Sequence, residues 1–339
     1  MKAAVLHGVG PPEAFRIEDV PTPSLDVGQA LVRVGACGVS SRDIVERNGT
    51  YRRDVEFPLI MGLEIAGTVV EVDDRCRTIS TGDRVCTKAF ASCGHCRLCR
   101  NGRETTCFER RPVRGGYGTF AALDADALVT LPASISYEHG CGAGPAAGVA
   151  LNAVRDIARV TIDETVLITG ASGGVGSAAV QIARNSGARV IATTRSRAKI
   201  NALREDGADD VVVHGPEIVS EVHELTRGAG VDVVIDTVGS DVFEDCFDCL
   251  AVHGRYALVG ELRGRTQPIN PARVFFKRAQ LLGVGSVSRS QLEDTLHLIE
   301  GGRLRTRVAT VLPLEQVARA HRLVESAQLV GRVILNPQS

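Results

Sequence analysis

The alternation of short apolar runs with helical segments after residue 165 restricts the fold more than any other feature of this chain. Strands and helices are predicted there, starting with a strand, in the order Val166–Thr169, 174–185, Arg189–Thr193, 196–205, Asp210–Val213, 217–227, Val231–Asp236, 241–251 and Arg255–Val259. Strands that alternate with helices form parallel β-α-β units, because each helix carries the chain back across the sheet. The pattern therefore predicts an α/β fold with a doubly wound parallel sheet.

The remainder of the chain consists of short β-like runs separated by many glycines and prolines. Strands are predicted at Ala3–Leu6, Ala30–Val34, Ile65–Val72 and Gly331–Leu335, and helices at Ala147–Ala158, Gln291–Ile299 and Leu314–Glu325. A length of 339 residues suits two domains. We expect an irregular β-rich domain from 1–146 that is completed by 287–339, and a second domain from 147–286.

Acidic and basic residues nearly cancel, which argues against functions that need a strongly charged surface. The chain has 39 lysines and arginines against 40 aspartates and glutamates, a formal net charge of -1. No basic excess favours binding to nucleic acid or to an anionic membrane. The first residues, MKAAVLHGVG, lack the apolar core of a signal peptide, and no apolar run reaches membrane-spanning length. We expect a cytoplasmic protein with a small-molecule substrate.

Four of the ten cysteines have the spacing of a structural zinc site. Cys93, Cys96, Cys99 and Cys107 follow the pattern C-x2-C-x2-C-x7-C. Four thiolates suit one tetrahedral Zn²⁺ and leave no coordination position open for a substrate. Disulfides are the weaker interpretation, because nothing indicates export to an oxidising compartment. The pattern predicts one structural Zn²⁺ in a lobe at 91–109 that takes no part in the chemistry.

A glycine-rich loop follows the first strand of the doubly wound part and precedes a helix. It reads Gly170-Ala-Ser-Gly173-Gly174-Val175-Gly176. Glycines permit a tight turn and let backbone N–H groups approach a pyrophosphate, which the N-terminus of the helix also attracts. An ordinary glycine-rich turn is the alternative. The position between a strand and a helix favours a dinucleotide site.

The end of the next strand indicates which dinucleotide would bind. In NAD-binding units an acidic residue there bonds the ribose 2′-hydroxyl. This chain has Thr194, Arg195 and Lys199 instead, and no acid lies between Ala192 and Lys199. Hydroxyls and cations suit the 2′-phosphate of NADP(H), although a solvated basic start of a helix would have the same composition. The segment therefore favours NADP(H) as the cofactor.

Several motifs, in this order along the chain, resemble the medium-chain dehydrogenase/reductase superfamily, the group of zinc alcohol dehydrogenases and quinone oxidoreductases. They are Gly62-Leu-Glu64-Ile-Ala-Gly67, the four-cysteine lobe, Gly82-Asp83-Arg84-Val85, Gly115-Gly-Tyr-Gly-Thr-Phe120, the loop Gly170–Gly176, Val231-Asp-Val-Val-Ile-Asp-Thr-Val-Gly239 and Gly331-Arg-Val-Ile-Leu335. The resemblance covers almost the whole chain. It implies a GroES-like catalytic domain, a Rossmann cofactor domain, oxidoreductase activity and a homodimer or homotetramer.

The resemblance also implies cofactor-binding residues beyond the glycine-rich loop. Thr237, Val238 and Gly239 would lie near the adenosine, Gly260 near the nicotinamide and Arg332 near the pyrophosphate. Packing within the sheets is the alternative role of each of these residues.

At the three positions where the resemblance implies ligands of a catalytic zinc, this chain has other residues. Ser40 stands where the family has a cysteine, Leu63 replaces the histidine and Ala146 replaces the third ligand. Leucine and alanine have no donor atom, and a neutral serine is a poor zinc ligand. Cys37 is out of register, and a small buried residue is its expected role. We therefore expect no catalytic zinc.

Without a Lewis acid, the substrate must accept hydride easily or side chains must stabilise the charge that develops. A conjugated enone spreads that charge as an enolate, a quinone becomes aromatic, and an iminium is already cationic. Zinc-free members of the superfamily are similar in using NADPH for quinone or C=C reduction. The expected function is NADPH-dependent reduction of an enone or quinone, with an iminium as a further option.

Three candidate catalytic residues lie in or after the segment that the resemblance places at the reacting centre. Ser40 could donate a hydrogen bond to a substrate oxygen, or only fill space. Arg42 could stabilise an enolate, hold an acidic substrate or contact cofactor phosphate, and a surface ion pair is its alternative role. Tyr51 could act as an acid, although loop tyrosines usually pack against their neighbours.

Two other functions stay open at this stage. One is an alcohol dehydrogenase or carbonyl reductase of the same superfamily, which would use side-chain donors or an unrecognised metal site. The other is a nucleotide-binding protein without enzymatic activity. The intact glycine-rich loop and the basic segment after it argue against the second, because such a protein need not keep its cofactor specificity.

Overall fold

The computed structural model describes residues 1–50, 55–261 and 263–339. Within these ranges the chain forms two compact units, one comprising Met1–Gly148 with Ser286–Ser339 and the other Val149–Gly285. In the same ranges, no helix combines the length and the apolar character needed to cross a membrane.

The amino-terminal part of the first unit consists of short strands and short helices. Its strands are β1 (Lys2–Leu6), β2 (Phe15–Asp19), β3 (Gln29–Val39), β4 (Leu59–Ile60), β5 (Glu64–Val72), β6 (Arg84–Thr87), β7 (Phe90–Ala91), β8 (Arg111–Pro112), β9 (Phe120–Asp124) and β10 (Leu128–Thr130). Its helices are α1 (Ser41–Arg47), α2 (Arg97–Arg100), α3 (Tyr137–Gly140), the 3₁₀ helices Pro12–Ala14, Glu104–Thr106 and Ala125–Ala127, and the π-helical segment Ala143–Gly148. Turn-forming glycines and prolines separate these runs and keep them short.

The second unit has the alternating pattern that the sequence predicts. Its strands are β11 (Thr165–Ile168), β12 (Arg189–Thr194), β13 (Asp210–Val213), β14 (Val231–Asp236), β15 (Leu250–Leu258) and β16 (Gln280–Gly283). Its helices are α4 (Val149–Leu151), the π-helical segment Asn152–Ile157, α5 (Gly174–Asn185), the 3₁₀ helix Arg197–Lys199, α6 (Ile200–Glu205), α7 (Ile218–Leu225), α8 (Phe243–Asp248) and α9 (Pro271–Lys277). The strands form one parallel sheet in the order β13-β12-β11-β14-β15-β16. The predicted doubly wound sheet is confirmed.

The carboxy-terminal segment returns to the sheet of the first unit. It contains α10 (Arg289–Glu300), β17 (Val308–Pro313), the 3₁₀ helix Leu314–Gln316, α11 (Val317–Ser326) and β18 (Arg332–Asn336). Strand β18 pairs with β17 in parallel and with β3 antiparallel, where Leu335 lies opposite Cys37. The sheet therefore has the order β10-β6-β5-β3-β18-β17, and β9 also pairs with β3. A core that includes Val32, Ile65 and Leu335 is packed around it.

One predicted helix is too long, and several elements of the structure, α9, β16 and β17 among them, have no counterpart in the sequence prediction. Helix α8 ends at Asp248 rather than 251, and β15 already begins at Leu250, which is 2% exposed. The N–H of Val231 bonds to the carbonyl of Cys249 at 2.9 Å, so pairing with β14 overrides the helical periodicity. Most residues of α9, β16 and β17 are half-buried or exposed and carry no clear apolar period, so these elements are not predicted.

Candidate active site

The glycine-rich loop of the second unit forms the tight turn that a phosphate site requires. Gly170 follows β11 with a φ of 57°, in the left-handed region, and Gly173 is the N-cap of α5. A Cβ on Gly176 would lie 2.3 Å from the carbonyl oxygen of Gly170 and 2.7 Å from Cα of Ala171. Glycine therefore allows α5 to start close against the loop. The first turn of a helix leaves N–H groups without intrahelical partners, and such groups can bind a pyrophosphate.

Asp236, at the end of β14, is fully buried and fixes the segment that follows it. Its Oδ1 accepts hydrogen bonds from the hydroxyl of Thr169 (2.7 Å) and from the N–H groups of Val238 (2.9 Å) and Gly239 (3.1 Å). Its Oδ2 accepts one from the hydroxyl of Tyr256 at 2.8 Å, and burial raises the pKa of that tyrosine. Asp236 is not among the site residues predicted from the sequence. An acid at the buried end of a strand rich in valine and isoleucine is the signal that could have identified it.

Thr237 joins this segment to the glycine-rich loop. Its hydroxyl donates to the carbonyl of Thr169 at 2.9 Å, and its N–H donates to the hydroxyl of the same threonine at 3.0 Å. A Cβ on Gly170 would lie 2.3 Å from Thr237 Oγ1, and a Cβ on Gly260 would lie 2.6 Å from the carbonyl oxygen of Thr237. The structure thus brings together three residues that the sequence predicts for cofactor binding.

The basic segment after β12 also contacts the loop. Nζ of Lys199 lies 3.0 Å from the hydroxyl of Ser172, in the middle of the loop, and the lysine is 6% exposed. Burial, followed by the nearby charge of Arg195, lowers the pKa of Lys199. Thr194 is buried at the end of β12, and its hydroxyl accepts a hydrogen bond from the N–H of Ser196 at 3.2 Å. Cations and hydroxyls therefore lie beside the loop. Ser172 is not among the cofactor-binding residues predicted from the sequence.

Ser40, in the first unit, is the N-cap of α1, and its hydroxyl is bonded to Asp43. Ser40 Oγ donates to Asp43 Oδ2 at 2.6 Å, and the N–H of Ser40 donates to the same oxygen at 2.8 Å. Asp43 is fully buried, and burial raises the pKa of its carboxyl. Among the described residues, the other carboxyl oxygen of Asp43 has no hydrogen-bond partner. The candidate donor therefore already has an acceptor at the start of its own helix.

Arg42, the second candidate, places its guanidinium over the ring of Phe90. The distance from Cζ of Arg42 to the ring centroid is 4.9 Å, and Cζ of Arg110 lies at the same distance from that centroid. A cation over an aromatic face is attracted by the negative charge of the ring face. Tyr51, the third candidate, lies outside the described residues.

Arg332 forms an ion pair with Glu64 in the first unit, and both side chains are buried or nearly so. Burial lowers the pKa of Arg332 to about 10, against the opposing effect of Asp43 and Cys37. A Cβ on Gly38 would lie 2.2 Å from Glu64 Oε2 and 3.1 Å from Arg332 Nη2, so glycine there leaves room for the pair beside β3. The structure describes no hydrogen-bond partner for Arg332 Nε within its ranges.

The three positions at which the superfamily holds a catalytic zinc offer no suitable donor set. Leu63 is 4% exposed and Ala146 is 2% exposed, and the hydroxyl of Ser40 is used as described above. Cys37 lies in the hydrophobic core, and burial raises the pKa of its thiol well above the ordinary value. In the described ranges, every group of three or more Cys, His, Asp or Glu donor atoms within 4.8 Å of one another includes Cys93.

The four cysteines of the lobe come together as their spacing predicts. Their sulfur atoms lie within 4.8 Å of one another, and four of the separations are 3.5 Å (Cys96–Cys99), 3.5 Å (Cys93–Cys107), 3.9 Å (Cys93–Cys99) and 4.0 Å (Cys96–Cys107). Zn–S bonds of about 2.3 Å in a tetrahedron place sulfur atoms about 3.8 Å apart. The N–H of Cys96 also donates to the sulfur of Cys93 at 3.3 Å, as expected for a thiolate. The donor set fits one Zn²⁺ without rearrangement.

Lys88 connects the lobe to the sheet of the first unit. It follows β6, is 2% exposed, and its Nζ lies 3.1 Å from Glu104 of the lobe and 3.2 Å from Asp126. Glu104 also accepts a hydrogen bond from the N–H of Arg289, the first residue of α10, at 2.6 Å. A buried ammonium needs such carboxylates, because an unpaired charge is costly away from water. The lobe is therefore attached to the unit through charged side chains.

Two family models match the chain, one in each part of the fold. An alcohol dehydrogenase GroES-like domain matches 26–133, and a zinc-binding dehydrogenase matches 174–301. The chain belongs to the medium-chain dehydrogenase/reductase superfamily. The resemblance read from the motifs is thereby confirmed, as is the combination of a GroES-like domain with a Rossmann domain.

Curated relatives in the superfamily match over the full length but differ in their named activities. Acryloyl-coenzyme A reductase of Metallosphaera sedula is 30% identical over 99% of each chain. Quinone oxidoreductase of Sus scrofa is 31% identical over 99% of this chain and 97% of its own. NAD-dependent alcohol dehydrogenase of Sulfolobus acidocaldarius is 31% identical over 99% of each chain. The chain is thus an oxidoreductase of this superfamily.

Solved structures agree with this assignment. The crystal structure of AibC superposes with a TM-score of 0.92 at 39% identity, covering 99% of this chain and 95% of the other. A mycobacterial protein complexed with NADPH superposes with a TM-score of 0.84 at 27% identity, covering 99% and 100%.

Proposed function

We propose that this protein is an NADPH-dependent reductase that acts without a catalytic zinc on an activated C=C bond or a quinone. The observation that carries the proposal is the loss of all three zinc-ligand positions, at Ser40, Leu63 and Ala146. Zinc would polarise a carbonyl oxygen, which is worth several kcal/mol in the reduction of a simple aldehyde. A conjugated alkene or a quinone needs less help, because it delocalises the charge itself. Two curated relatives, named acryloyl-coenzyme A reductase and quinone oxidoreductase, support this substrate class.

In this proposal the second unit binds the cofactor and the first unit binds the substrate. The bound cofactor supplies the hydride. Gly170, Gly173, Gly174, Val175 and Gly176 bind its pyrophosphate through the turn and the start of α5. Thr237, Val238, Gly239 and Gly260 line the adjacent strand ends; Asp236 holds Val238 and Gly239 in place, and Thr169 holds Thr237.

Among the candidate residues of the first unit, Arg42 has a stronger case for contact with the substrate than Ser40. The proton of the Ser40 hydroxyl is directed to Asp43, whereas a guanidinium keeps its positive charge and presents several donors. Arg42 would therefore hold a negative group of the substrate. Arg332, bonded to Glu64, keeps a buried positive charge that could meet cofactor phosphate. We assign no proton donor, and water is sufficient for the protonation of an enolate carbon.

The NADP preference rests on Lys199, and its removal tests that preference. We expect Lys199→Ala to raise KM for NADPH about tenfold or more and to leave KM for NADH within about threefold, since one charge-assisted contact to the 2′-phosphate is lost. Steady-state kinetics with both cofactors measures the effect. Arg204→Ala is the matched control, because Arg204 is exposed on α6. An equal loss with both cofactors would contradict a 2′-phosphate role for Lys199.

A panel of acceptors tests the reaction itself. With NADPH supplied, we expect turnover of enones, enoyl thioesters or quinones at rates at least about 100-fold above those of simple aldehydes, because only the latter need a Lewis acid. NADPH absorbance follows the reaction, and iminium substrates are included. A chelator should leave turnover unchanged as long as the cysteine lobe stays folded. Dominant aldehyde reduction would overturn the proposal and favour the alternative, a carbonyl reductase or alcohol dehydrogenase, which the NAD-dependent alcohol dehydrogenase relative also suggests.

The cysteine lobe completes the proposal as a structural element. Cys93, Cys96, Cys99 and Cys107 would hold one Zn²⁺ per chain, and this closed site would take no part in hydride transfer. The protein would act in the cytoplasm as a homodimer or homotetramer, without nucleic-acid or membrane partners.

A further inference from the structure

His214 is a half-buried side chain to which the proposed reaction gives no role. The side chain is 21% exposed, and its Nδ1 is buried without a hydrogen-bond partner among the residues that the structure describes. Buried side-chain nitrogens and oxygens are hydrogen-bonded in most native proteins, because an unpaired polar group away from water is destabilising. The unpaired nitrogen therefore indicates that a partner from outside the chain completes this part of the second unit.

His214 follows β13 directly and lies beside the end of β12. Its backbone N–H donates to the carbonyl of Thr194 at 2.8 Å. The strands stand in the order β13-β12-β11, with the glycine-rich loop after β11 and the residues proposed to meet the 2′-phosphate after β12. Ligands of such sheets bind outside the carboxyl ends of the strands. The end of β13 lies one strand farther from the pyrophosphate, where the base carried by the ribose is expected.

Asp245 determines which nitrogen of the imidazole can accept a hydrogen bond. Nε2 of His214 lies 3.7 Å from Oδ2 of Asp245 in α8, the helix that follows the segment 237–239 expected near the adenosine. The separation is too long for a hydrogen bond, but the negative charge of the carboxylate favours the tautomer with its proton on Nε2. Nδ1 of a neutral imidazole in this tautomer has a free lone pair and acts as an acceptor.

We propose that His214 binds the adenine of the cofactor, with Nδ1 accepting a hydrogen bond from the N6 amino group. The inference rests on the proposed function only in that it assumes an adenine dinucleotide as the cofactor. Adenine has a donor at N6, whereas hypoxanthine has a carbonyl oxygen, an acceptor, at the same place. A site built around a hydrogen bond to one group rejects an analogue that lacks that group. His214 would thus select the base, whereas Lys199 would select the 2′-phosphate.

Binding of NADPH and of its deamino analogue, in which hypoxanthine replaces adenine, tests this contact without turnover. Fluorescence of the bound nicotinamide reports both, because the two molecules share that end. We expect the unaltered protein to bind NADPH about tenfold more tightly, since the analogue loses one hydrogen bond and sets two acceptors against each other. His214→Phe keeps a flat ring without an acceptor and should reduce this preference to about twofold or less. His214→Asn offers an amide oxygen in place of Nδ1 and should keep most of the preference.

Two control variants distinguish the base contact from other causes of weaker binding. His297→Ala removes an exposed histidine of α10 in the first unit and should change neither affinity. Lys199→Ala should weaken both nucleotides by the same factor, because both carry the 2′-phosphate, and should therefore leave the preference unchanged. A preference below about threefold in the unaltered protein would overturn the proposal. A preference that His214→Phe leaves intact would also overturn it.

The same titrations distinguish a failure of this inference from a failure of the proposed function. A His214-dependent preference for NADPH, in a protein that reduces no alkene or quinone, would sink the proposed reaction and keep the adenine contact. Reduction of those substrates with equal affinity for the two nucleotides would do the reverse. Binding of neither nucleotide by protein that circular dichroism shows to be folded would overturn both.

Discussion

Gly176→Ala is expected to lower the affinity for NADP(H) by about 100-fold, because the new methyl group would displace the phosphate loop. A Cβ at this position would lie 2.3 Å from the carbonyl oxygen of Gly170 and 2.7 Å from Cα of Ala171. All the atoms that it meets belong to the backbone, so no side-chain rotation can relieve the overlap. Moving the loop or α5 would shift the N–H groups proposed to bind the pyrophosphate, and losing about two hydrogen bonds to a charged group lowers affinity about 100-fold. Fluorescence of bound NADPH, or calorimetry with NADP⁺, measures the change.

The control for this variant is another glycine of the second unit. Gly215→Ala would place its Cβ in open space, 3.9 Å from the carbonyl oxygen of Val213, and Gly215 does not have a positive φ. It should leave both cofactor affinity and stability nearly unchanged. If Gly176→Ala binds NADP(H) as well as Gly215→Ala does, the close approach of α5 to the loop has no part in cofactor binding.

Asp236→Ala is expected to lower the free energy of unfolding by about 3–5 kcal/mol, since it removes the acceptor of a buried hydrogen-bond network. The carboxylate is fully buried and accepts from Thr169, Val238, Gly239 and Tyr256. Without it, these donors would be left unsatisfied where water cannot easily replace the carboxylate. Urea denaturation followed by circular dichroism measures the loss.

Two further variants separate the two carboxyl oxygens of Asp236. Asp236→Asn keeps one oxygen that can accept from the three donors at Oδ1, and its amide can donate to the hydroxyl of Tyr256. We expect it to cost only about 1 kcal/mol, similar to Tyr256→Phe, which removes a single hydrogen bond. A loss in Asp236→Asn as large as in Asp236→Ala would show that the negative charge, rather than the acceptor geometry, stabilises this end of the sheet.

The sequence predicts the parts of this molecule that local rules determine. The glycines of the turn after β11 lie within seven residues, and the four cysteines of the lobe lie within fifteen. The geometry of each motif therefore depends mainly on residues that are close in the sequence. The parallel sheet follows from alternation, which does not depend on knowing which strands are neighbours.

Contacts between distant segments could not be predicted in this way. Lys199 reaches Ser172 across 27 positions, and Arg42 meets Phe90 only because two separate segments of the first unit converge. The hydrogen bond between Ser40 and Asp43 is predictable from the sequence, because serine followed by an acid three residues later is a capping pattern.

Because Lys88 is buried, the cysteine lobe affects the folding equilibrium of the first unit. Its ammonium forms ion pairs with Glu104 from the lobe and Asp126 from outside it. Glu104 also accepts a hydrogen bond from the N–H of Arg289 at the start of α10. If the lobe lost the proposed Zn²⁺ and unfolded, Glu104 would move away from Lys88. The buried ammonium would then have only the carboxylate of Asp126 as a partner. Ligands that bind only the folded state shift unfolding by mass action. If the cysteines hold Zn²⁺ as proposed, the free zinc concentration would therefore shift the folding equilibrium of the first unit.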